Sequence, residues 1–197
     1  MMCRLTAVGV LMLILCQAAQ ALHFSTVIVD AGHGGADGGA VWSGLIEKKL
    51  CLDVAKRLET ALRARGVRTV MTRGTDNTVS LDTRVKMANR HRGAVFVSIH
   101  FNAHRDRSIS GMETHYRSSN GRTLARAIQR SLDARVTGIN RGVDHADYKV
   151  LRSTQMPAAL VECGFISNRA EAARCATAAH RQKLAEAIAS GILAARS

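Results

Sequence analysis

The sequence predicts an α/β fold of three layers, in which a central, mostly parallel mixed sheet lies between helices on both faces. Strand-like and helix-like stretches alternate along the chain, and most of the strand-like stretches are apolar. A strand, a helix and a second strand make a right-handed crossover, and such crossovers produce parallel strands that are buried on both faces. Of the 197 residues, 47% are hydrophobic, which is enough for the core of one domain of ordinary size.

The first half of the chain contains three predicted strands and two predicted helices. Apolar residues recur at every fourth position between Leu45 and Arg65, which predicts an amphipathic helix that ends at Gly66. A shorter helix is predicted after Ser80, where apolar residues again recur at helical spacing. The predicted strands, which are rich in β-branched and apolar residues, are Thr26–Asp30, Val67–Thr72 and Ala94–Ile99.

The second half contains two further strands and two further helices. Met112–Tyr116 and Ala158–Val161 are the predicted strands. Apolar residues at helical spacing predict helices over 124–136 and 184–192. The residues around His145 are predicted to form a polar loop.

The first 21 residues have the pattern of a secretory signal peptide, and residues 22–197 would then form the mature domain. Arg4 provides a positive start, Ala7–Cys16 is apolar apart from small residues, and Ala19–Ala21 has the A-x-A form of a cleavage site. The apolar run is shorter than the roughly 20 residues of a membrane-spanning helix, which disfavours a retained anchor. The pattern predicts export to the periplasm or cell envelope.

The chain carries a formal net charge of +13, which predicts attraction to polyanions. Nucleic acid, anionic lipid and anionic wall polymers all fit such a charge. Export disfavours nucleic acid, and so does an aromatic content of 4%, which provides few rings for base stacking. We expect a monomer with no nucleic-acid partner and with an electrostatic contact to an anionic wall or lipid surface. The alternative is that arginine-rich helix faces only solvate the protein.

Four ionisable residues lie close to the ends of predicted strands or to a helix start. His33 lies in the Gly-rich loop after the first strand, and Glu47 lies in the first turn of the first helix. His100 follows the third strand, and Glu162 follows the last. Because the carboxyl ends of parallel strands meet at one edge of a sheet, we expect these side chains to lie together.

This combination of residues predicts metal-assisted hydrolysis. Two imidazoles and one carboxylate, from His33, Glu47 and His100, are a suitable ligand set for zinc and leave a fourth position for water. Glu162 would then accept a proton from that water as the catalytic base.

Each of these residues also has an ordinary structural explanation. His33 could be only a turn residue, Glu47 could complement the helix dipole, and His100 could cap its strand. Glu162 is harder to explain in this way, because a carboxylate beside a buried strand is costly unless it is used or paired.

Other candidates are His104 at the rim, His115 in the core or cleft wall, His145 and Asp147 as substrate contacts, and Asp30 and Asp37 as acceptors for the second nitrogen of a ligand histidine.

Three cysteines, Cys51, Cys163 and Cys175, remain after removal of a signal peptide and allow at most one disulfide. Cys51 and Cys163 are expected to be small buried residues. Cys163 adjoins Glu162 and raises the alternative of a thiol nucleophile. Successive strand side chains point to opposite faces, so Cys163 is expected to face the packing if Glu162 faces the site.

Five stretches of the chain together resemble the zinc-dependent N-acetylmuramoyl-L-alanine amidases of bacterial cell-wall remodelling. They are, in order, VIVDAGHGGADGGA, GLIEKKLCLDVAKRL, VSLDTRVKMAN, FVSIHFNAH and AALVECGFISN. The resemblance runs from about Thr26 to Leu193. It implies an α/β fold with a central mixed sheet, peptidoglycan as substrate, and cleavage of the amide between N-acetylmuramic acid and the L-alanine of the stem peptide. By position it also implies the same zinc ligands and the same catalytic carboxylate.

The sequence departs from the family pattern at Ala31, where proline is usual, at Phe101, where a small residue is usual, and at Cys163, where an apolar residue is usual. None of these changes removes a chemical group that the reaction needs. Some relatives hold an inhibitory helix between the last histidine and the catalytic glutamate. No second long helix is predicted in that span here, which implies an open site. A zinc peptidase or carboxypeptidase that acts on wall peptides, and an inactive wall-binding relative, are the alternatives.

Overall fold

The computed structural model describes residues 21–197. The predicted signal peptide therefore lies outside the described residues, apart from Ala21. Within the described part of the chain, no helix is both long and apolar enough to cross a membrane.

A six-stranded mixed sheet with helices on both faces forms the framework. The strands are β1 Thr26–Ala31, β2 Val41–Trp42, β3 Leu45–Ile46, β4 Arg68–Met71, β5 Ala94–Asn102, β6 Met112–Tyr116, β7 Asn140–His145 and β8 Ala158–Phe165. The helices are α1 Glu47–Arg63, α2 Leu81–Asn89, α3 Ser119–Arg135, α4 Lys149–Ser153, α5 Arg169–Cys175 and α6 Ala178–Ala194. The sheet has the order β4-β1-β5-β8-β6-β7, and β2 and β3 form a separate two-stranded sheet.

Most strand pairs in the six-stranded sheet are parallel, as the sequence predicts. β1 pairs in parallel with β4 and β5, β5 pairs in parallel with β8, and β6 pairs in parallel with β7. The antiparallel pair joins β6 to β8. Residues 103–111 connect β5 to β6 without a crossover helix, so the chain turns back and β6 runs opposite to β5.

Alternate residues of the central strands face different layers. Val27 of β1 lies in the larger core, to which α1, α3 and α6 contribute, whereas Ile28 lies in a smaller core with residues of α2 and α4. The same alternation places Asp30, His100 and Glu162 on the side of the smaller core. The polar residues of the carboxyl edge are therefore directed to the face that the short helices α2 and α4 cover.

Several predicted boundaries are wrong by a few residues. The helix predicted to begin at Leu45 begins at Glu47, because the two residues before it pair with β2. β5 and β8 are longer than predicted, so His100 and Glu162 lie within these strands and not beyond their ends.

Besides β2 and β3, three short elements have no counterpart in the prediction. The polar loop predicted around His145 contains β7 and α4. β7 is an edge strand in which no residue is buried, so its sequence lacks the apolar alternation that indicates a strand. α5 has only seven residues, too few for a clear helical repeat, and Asn168 caps it by accepting hydrogen bonds from the N–H groups of Ala170 and Glu171.

Candidate metal centre

The loop after β1 turns sharply and carries His33 to the carboxyl edge of the sheet. His33 has a φ of 56°, a left-handed conformation that residues other than glycine rarely adopt. The backbone at Gly32 lies directly against the ring of His100, and a Cβ atom at Gly39 would lie 2.6 Å from Glu47 Oε2. These two glycines let the backbone approach the neighbouring side chains more closely than any other residue would allow.

The side chains of His33, Glu47 and His100 converge. Glu47 Oε1 lies 2.9 Å from His33 Nε2 and 2.9 Å from His100 Nδ1. One nitrogen or oxygen atom of each residue lies within 4.8 Å of the others, so the three residues could hold a metal ion. Ligand atoms bound at about 2.0 Å to one tetrahedral ion lie about 3.3 Å apart, which is close to the spacing observed for these pairs.

Glu47 is a buried carboxylate that several donors stabilise. Its Oε2 accepts a hydrogen bond from Ala40 N–H at 2.8 Å, and its Oε1 accepts one from Phe101 N–H at 3.2 Å. Burial raises the pKa of Glu47, but hydrogen bonds from His100 and His33 outweigh burial and hold that pKa well below its usual range. Glu47 is also the first residue of α1, where the helix dipole favours negative charge. An ionised carboxylate between two imidazoles is a suitable centre for a cation.

Asp37 binds the nitrogen of His33 that points away from Glu47. Asp37 Oδ2 lies 2.8 Å from His33 Nδ1, which leaves Nε2 directed at Glu47. Burial lowers the pKa of His33, but hydrogen bonds and charge from Glu47 and Asp37 raise it above its usual value. Of the two aspartates predicted for this contact, Asp37 makes it. Asp30 is buried and instead pairs with Arg84 at 2.6 Å.

Glu162 lies beside His100 on the neighbouring parallel strand. Its Oε2 is buried and has no hydrogen-bond partner within the described residues. Burial raises the pKa of Glu162 to about 7, although the nearby His100 lowers it. A buried carboxylate with an unpartnered oxygen at a cleft is suited to accept a proton near neutral pH.

All four predicted residues line one cleft of about 640 Å³. Thr78–Leu81 at the start of α2 and Tyr148–Val150 at the start of α4 also line it. Lys149 Nζ lies 2.6 Å from Asp82 Oδ1, so an ion pair joins these two walls. The helix of the first wall is predicted from the sequence, and Val79–Asn89 is one of the family-like stretches, but no pattern in either segment indicates that it lines the cleft.

Of the other predicted candidates, Asp30 and Asp37 also line this cleft, whereas His115 does not. His104, His145 and Asp147 do not line it. The side chains of His145 and Asp147 instead contact Arg117 at the surface, so their predicted contact with substrate is not supported. His115 is buried on β6 with its ring 5.4 Å from that of Tyr148, and it lies behind the cleft wall that Tyr148 forms.

The thiol alternative is wrong. Cys51, Cys163 and Cys175 are free and buried. Cys163 is 1% exposed and lies in the larger core, on the opposite face of β8 from Glu162. Burial raises the pKa of the Cys163 thiol well above its usual value, so the thiol is protonated.

A mostly parallel α/β sheet with two histidines and a carboxylate at its carboxyl edge, beside a second buried carboxylate, is the arrangement of a metal-dependent hydrolase. Within that class, the chain belongs to the N-acetylmuramoyl-L-alanine amidase family, which it matches over residues 27–194. The family and the fold class predicted from the sequence are confirmed.

Individual relatives support the same assignment. The chain is 39% identical over 180 residues to the uncharacterised protein YqiI of Bacillus subtilis, a match that covers 89% of this chain and 87% of YqiI. It is 39% identical over 170 residues to the N-acetylmuramoyl-L-alanine amidase LytC of the same species, which covers 84% of this chain but 34% of LytC. The structure of the amidase AmiC2 of Nostoc punctiforme superposes with a TM-score of 0.83 at 38% identity, over 86% of this chain and 95% of AmiC2.

Replacement of Asp37 by Asn tests the contact with His33. An amide cannot hold the Nδ1 proton with a full negative charge, so we expect Asp37→Asn to lower the affinity for divalent metal ions by about 10- to 100-fold. Asp106→Asn is the control, because Asp106 bonds only within its own exposed loop. Metal titration of both variants measures the effect, and equal affinities would show that Asp37 does not support the ligand.

Proposed function

We propose that the protein is a zinc-dependent N-acetylmuramoyl-L-alanine amidase. It hydrolyses the amide between N-acetylmuramic acid and the L-alanine of the stem peptide in peptidoglycan. The observation that carries the proposal is the convergence of His33, Glu47 and His100 beside the unpartnered Oε2 of Glu162, in a chain of the amidase family. Residues 22–197 form the catalytic domain, and residues 1–21 are a signal peptide that directs export to the periplasm or cell envelope.

His33, Glu47 and His100 fit zinc as ligands, since imidazole nitrogen and carboxylate oxygen are donors that zinc prefers. When bound there, zinc supplies Lewis acidity that polarises a carbonyl and acidifies water. Asp37 fixes the tautomer of His33, so that Nε2 keeps its lone pair for the ion. The N–H groups of Ala40 and Phe101 hold the Glu47 carboxylate in place.

Glu162 moves the proton that hydrolysis requires. Addition of water across the amide breaks the C–N bond, and it yields the lactyl carboxylate and the amine of L-alanine. Glu162 Oε2 accepts a proton from the attacking water and then delivers it to the leaving nitrogen. Its raised pKa of about 7 is suited to both directions of transfer.

The alternatives fit the cleft less well. A carboxypeptidase needs a free cation for the terminal carboxylate of its substrate. Of the cleft's cationic side chains, Arg84 is bound by Asp30, and Lys149 is bound by Asp82. An inactive wall-binding relative is disfavoured because the four chemical groups of the reaction are all present in one cleft.

Digestion of purified peptidoglycan tests the bond that is cleaved. The zinc-loaded protein is expected to release stem peptides that begin with L-alanine and to leave the glycan strands intact. Mass spectrometry of the soluble products measures this outcome. Release of a terminal amino acid alone would favour the carboxypeptidase, and absence of any product would favour the inactive relative.

Two glutamine substitutions separate the roles of the carboxylates. Glu162→Gln keeps the shape but removes the proton acceptor, so we expect zinc to stay bound while turnover falls by about 10²- to 10⁴-fold. Glu47→Gln removes ligand charge and is expected to lower both zinc affinity and turnover. Zinc content and turnover are measured on both variants. Loss of zinc from Glu162→Gln alone would mean that the two carboxylates are reversed, and full activity of Glu162→Gln would contradict the mechanism.

The proposal includes an electrostatic contact with an anionic wall or lipid surface through the exposed face of α3. Arg122, Arg126 and Arg130 are exposed at every fourth position, about 6 Å apart along the helix axis. None of them forms an ion pair with a carboxylate of residues 21–197, whereas Arg63 pairs with Glu59 on α1. Like charges at this spacing destabilise a helix slightly, so an unpaired row favours a role in binding over simple solvation.

Substitution of this row tests the contact. We expect the triple variant Arg122→Gln, Arg126→Gln, Arg130→Gln to co-sediment less with insoluble peptidoglycan or with anionic phospholipid vesicles. The control replaces three arginines that already have acidic partners, Arg63, Arg117 and Arg152, and removes the same net charge. Wild-type binding is expected to weaken as salt rises, because exposed charges are screened over about 8 Å at physiological ionic strength. Salt-independent binding, or equal loss in both triple variants, would contradict a contact through α3.

A further inference from the structure

Arg73 is a buried arginine whose guanidinium bonds to segments on both sides of the metal centre. It lies just after β4 and is 3% exposed. Its Nε donates a hydrogen bond to Ala31 O at 2.9 Å, and its Nη2 donates to Gly32 O at 2.6 Å and to Lys48 O at 2.9 Å. Ala31 and Gly32 lead directly into His33, and Lys48 directly follows Glu47. One side chain therefore connects the backbones of two predicted ligands.

The charge of Arg73 is stabilised in an unusual way. Within the described residues it has no ion pair with a carboxylate, and its fourth hydrogen bond goes to another carbonyl, Thr75 O, at 3.1 Å. Arg84, equally buried, pairs with Asp30 at 2.6 Å. Burial of an unpaired cation is unfavourable unless hydrogen bonds satisfy it, and here four carbonyl groups take the place of a carboxylate.

The shape of the guanidinium explains why arginine is needed at this position. Its N–H groups point in fixed directions in one plane, and four of them reach carbonyls of three separate segments. Lysine has one nitrogen with three rotatable donors and cannot reach the same set. The Lys48 ammonium donates to Gly35 O at 2.6 Å and also pairs with Asp76 at 2.8 Å, so it adds a weaker link from the Glu47 segment to the loop of His33.

We propose that Arg73 is a positioning residue of the metal centre, which fixes the backbone of His33 relative to that of Glu47 before a metal binds. Arg73 does not line the cleft and acts only through the carbonyl groups that it holds. The proposal rests on the assignment of His33 and Glu47 as zinc ligands under the proposed function.

The test compares Arg73→Lys with Arg181→Lys in the full chain. Arg181 is the control, because its Nη1 also donates to two carbonyls, Cys175 O and Ala176 O, each at 2.8 Å, and these belong to the end of α5 and not to a ligand segment. Unlike Arg73, Arg181 also has a carboxylate partner, since its Nε pairs with Asp53. Zinc affinity is measured by competition with a chromophoric chelator, and the visible absorption of the cobalt-loaded proteins reports ligand geometry. Thermal unfolding of the metal-free proteins reports stability separately.

Arg73→Lys is expected to weaken zinc binding by about tenfold or more and to change the cobalt spectrum. Arg181→Lys is expected to lower the unfolding temperature while it leaves both metal readouts unchanged. Unchanged zinc affinity in Arg73→Lys, or an equal loss in Arg181→Lys, would overturn the positioning role. If the wild-type protein binds no zinc, the proposed function is refuted together with the positioning role of Arg73. If Arg73→Lys does not fold, Arg73→Met takes its place, because methionine has a side chain of similar length and buries no charge. Its zinc affinity and cobalt spectrum are then compared with those of Arg181→Lys.

Discussion

The buried carboxylate of Glu47 sets the conditions that the surrounding structure has to meet. An ionised group removed from water needs hydrogen bonds or opposite charge in compensation. The N–H groups of Ala40 and Phe101, the imidazoles of His33 and His100, and the first turn of α1 provide it. These groups come from the loop between β1 and β2, from β5 and from α1 itself. The fold therefore has to bring the β1–β2 loop and β5 to within hydrogen-bond distance of one side chain at the start of α1.

The sheet meets this condition through register. Ala31 of β1 is paired with Ile99 of β5, which places the segments of His33 and His100 side by side, and His100 is paired with Glu162 of β8. The two carboxylates of the cleft then differ in their partners. Glu47 receives several donors, and its pKa falls, whereas Glu162 Oε2 receives none, and burial raises the pKa of Glu162 to about 7. Glu47 is therefore suited to hold a cation and Glu162 to exchange a proton. The two side chains are chemically identical, so this difference in role comes from their surroundings alone.

The apolar strands and the four residues of the cleft could be predicted because they depend on local pattern. β1, β5 and β8 are strongly apolar, and a polar residue at the end of such a stretch is conspicuous whatever the register. The role of Arg73 could not be predicted, since it depends on which carbonyl groups the tertiary fold brings around one guanidinium. Tyr148 belongs to the cleft only because α4 folds over the smaller core, and the polar sequence before it gives no such signal.

The distribution of charge between the two faces of the sheet has a consequence for the orientation of the protein. Glu47 and Glu162 lie in the cleft on the side of α2 and α4, whereas the arginine row of α3 lies in the layer that covers the larger core. A basic row inside the cleft would neutralise the carboxylates and lower the raised pKa of Glu162, because a nearby positive charge favours the ionised form. The sheet and one layer of helices separate the arginine row of α3 from the carboxylates of the cleft, which avoids this conflict. An anionic surface bound by α3 would therefore lie on the side of the sheet away from α2 and α4 and would not cover the cleft.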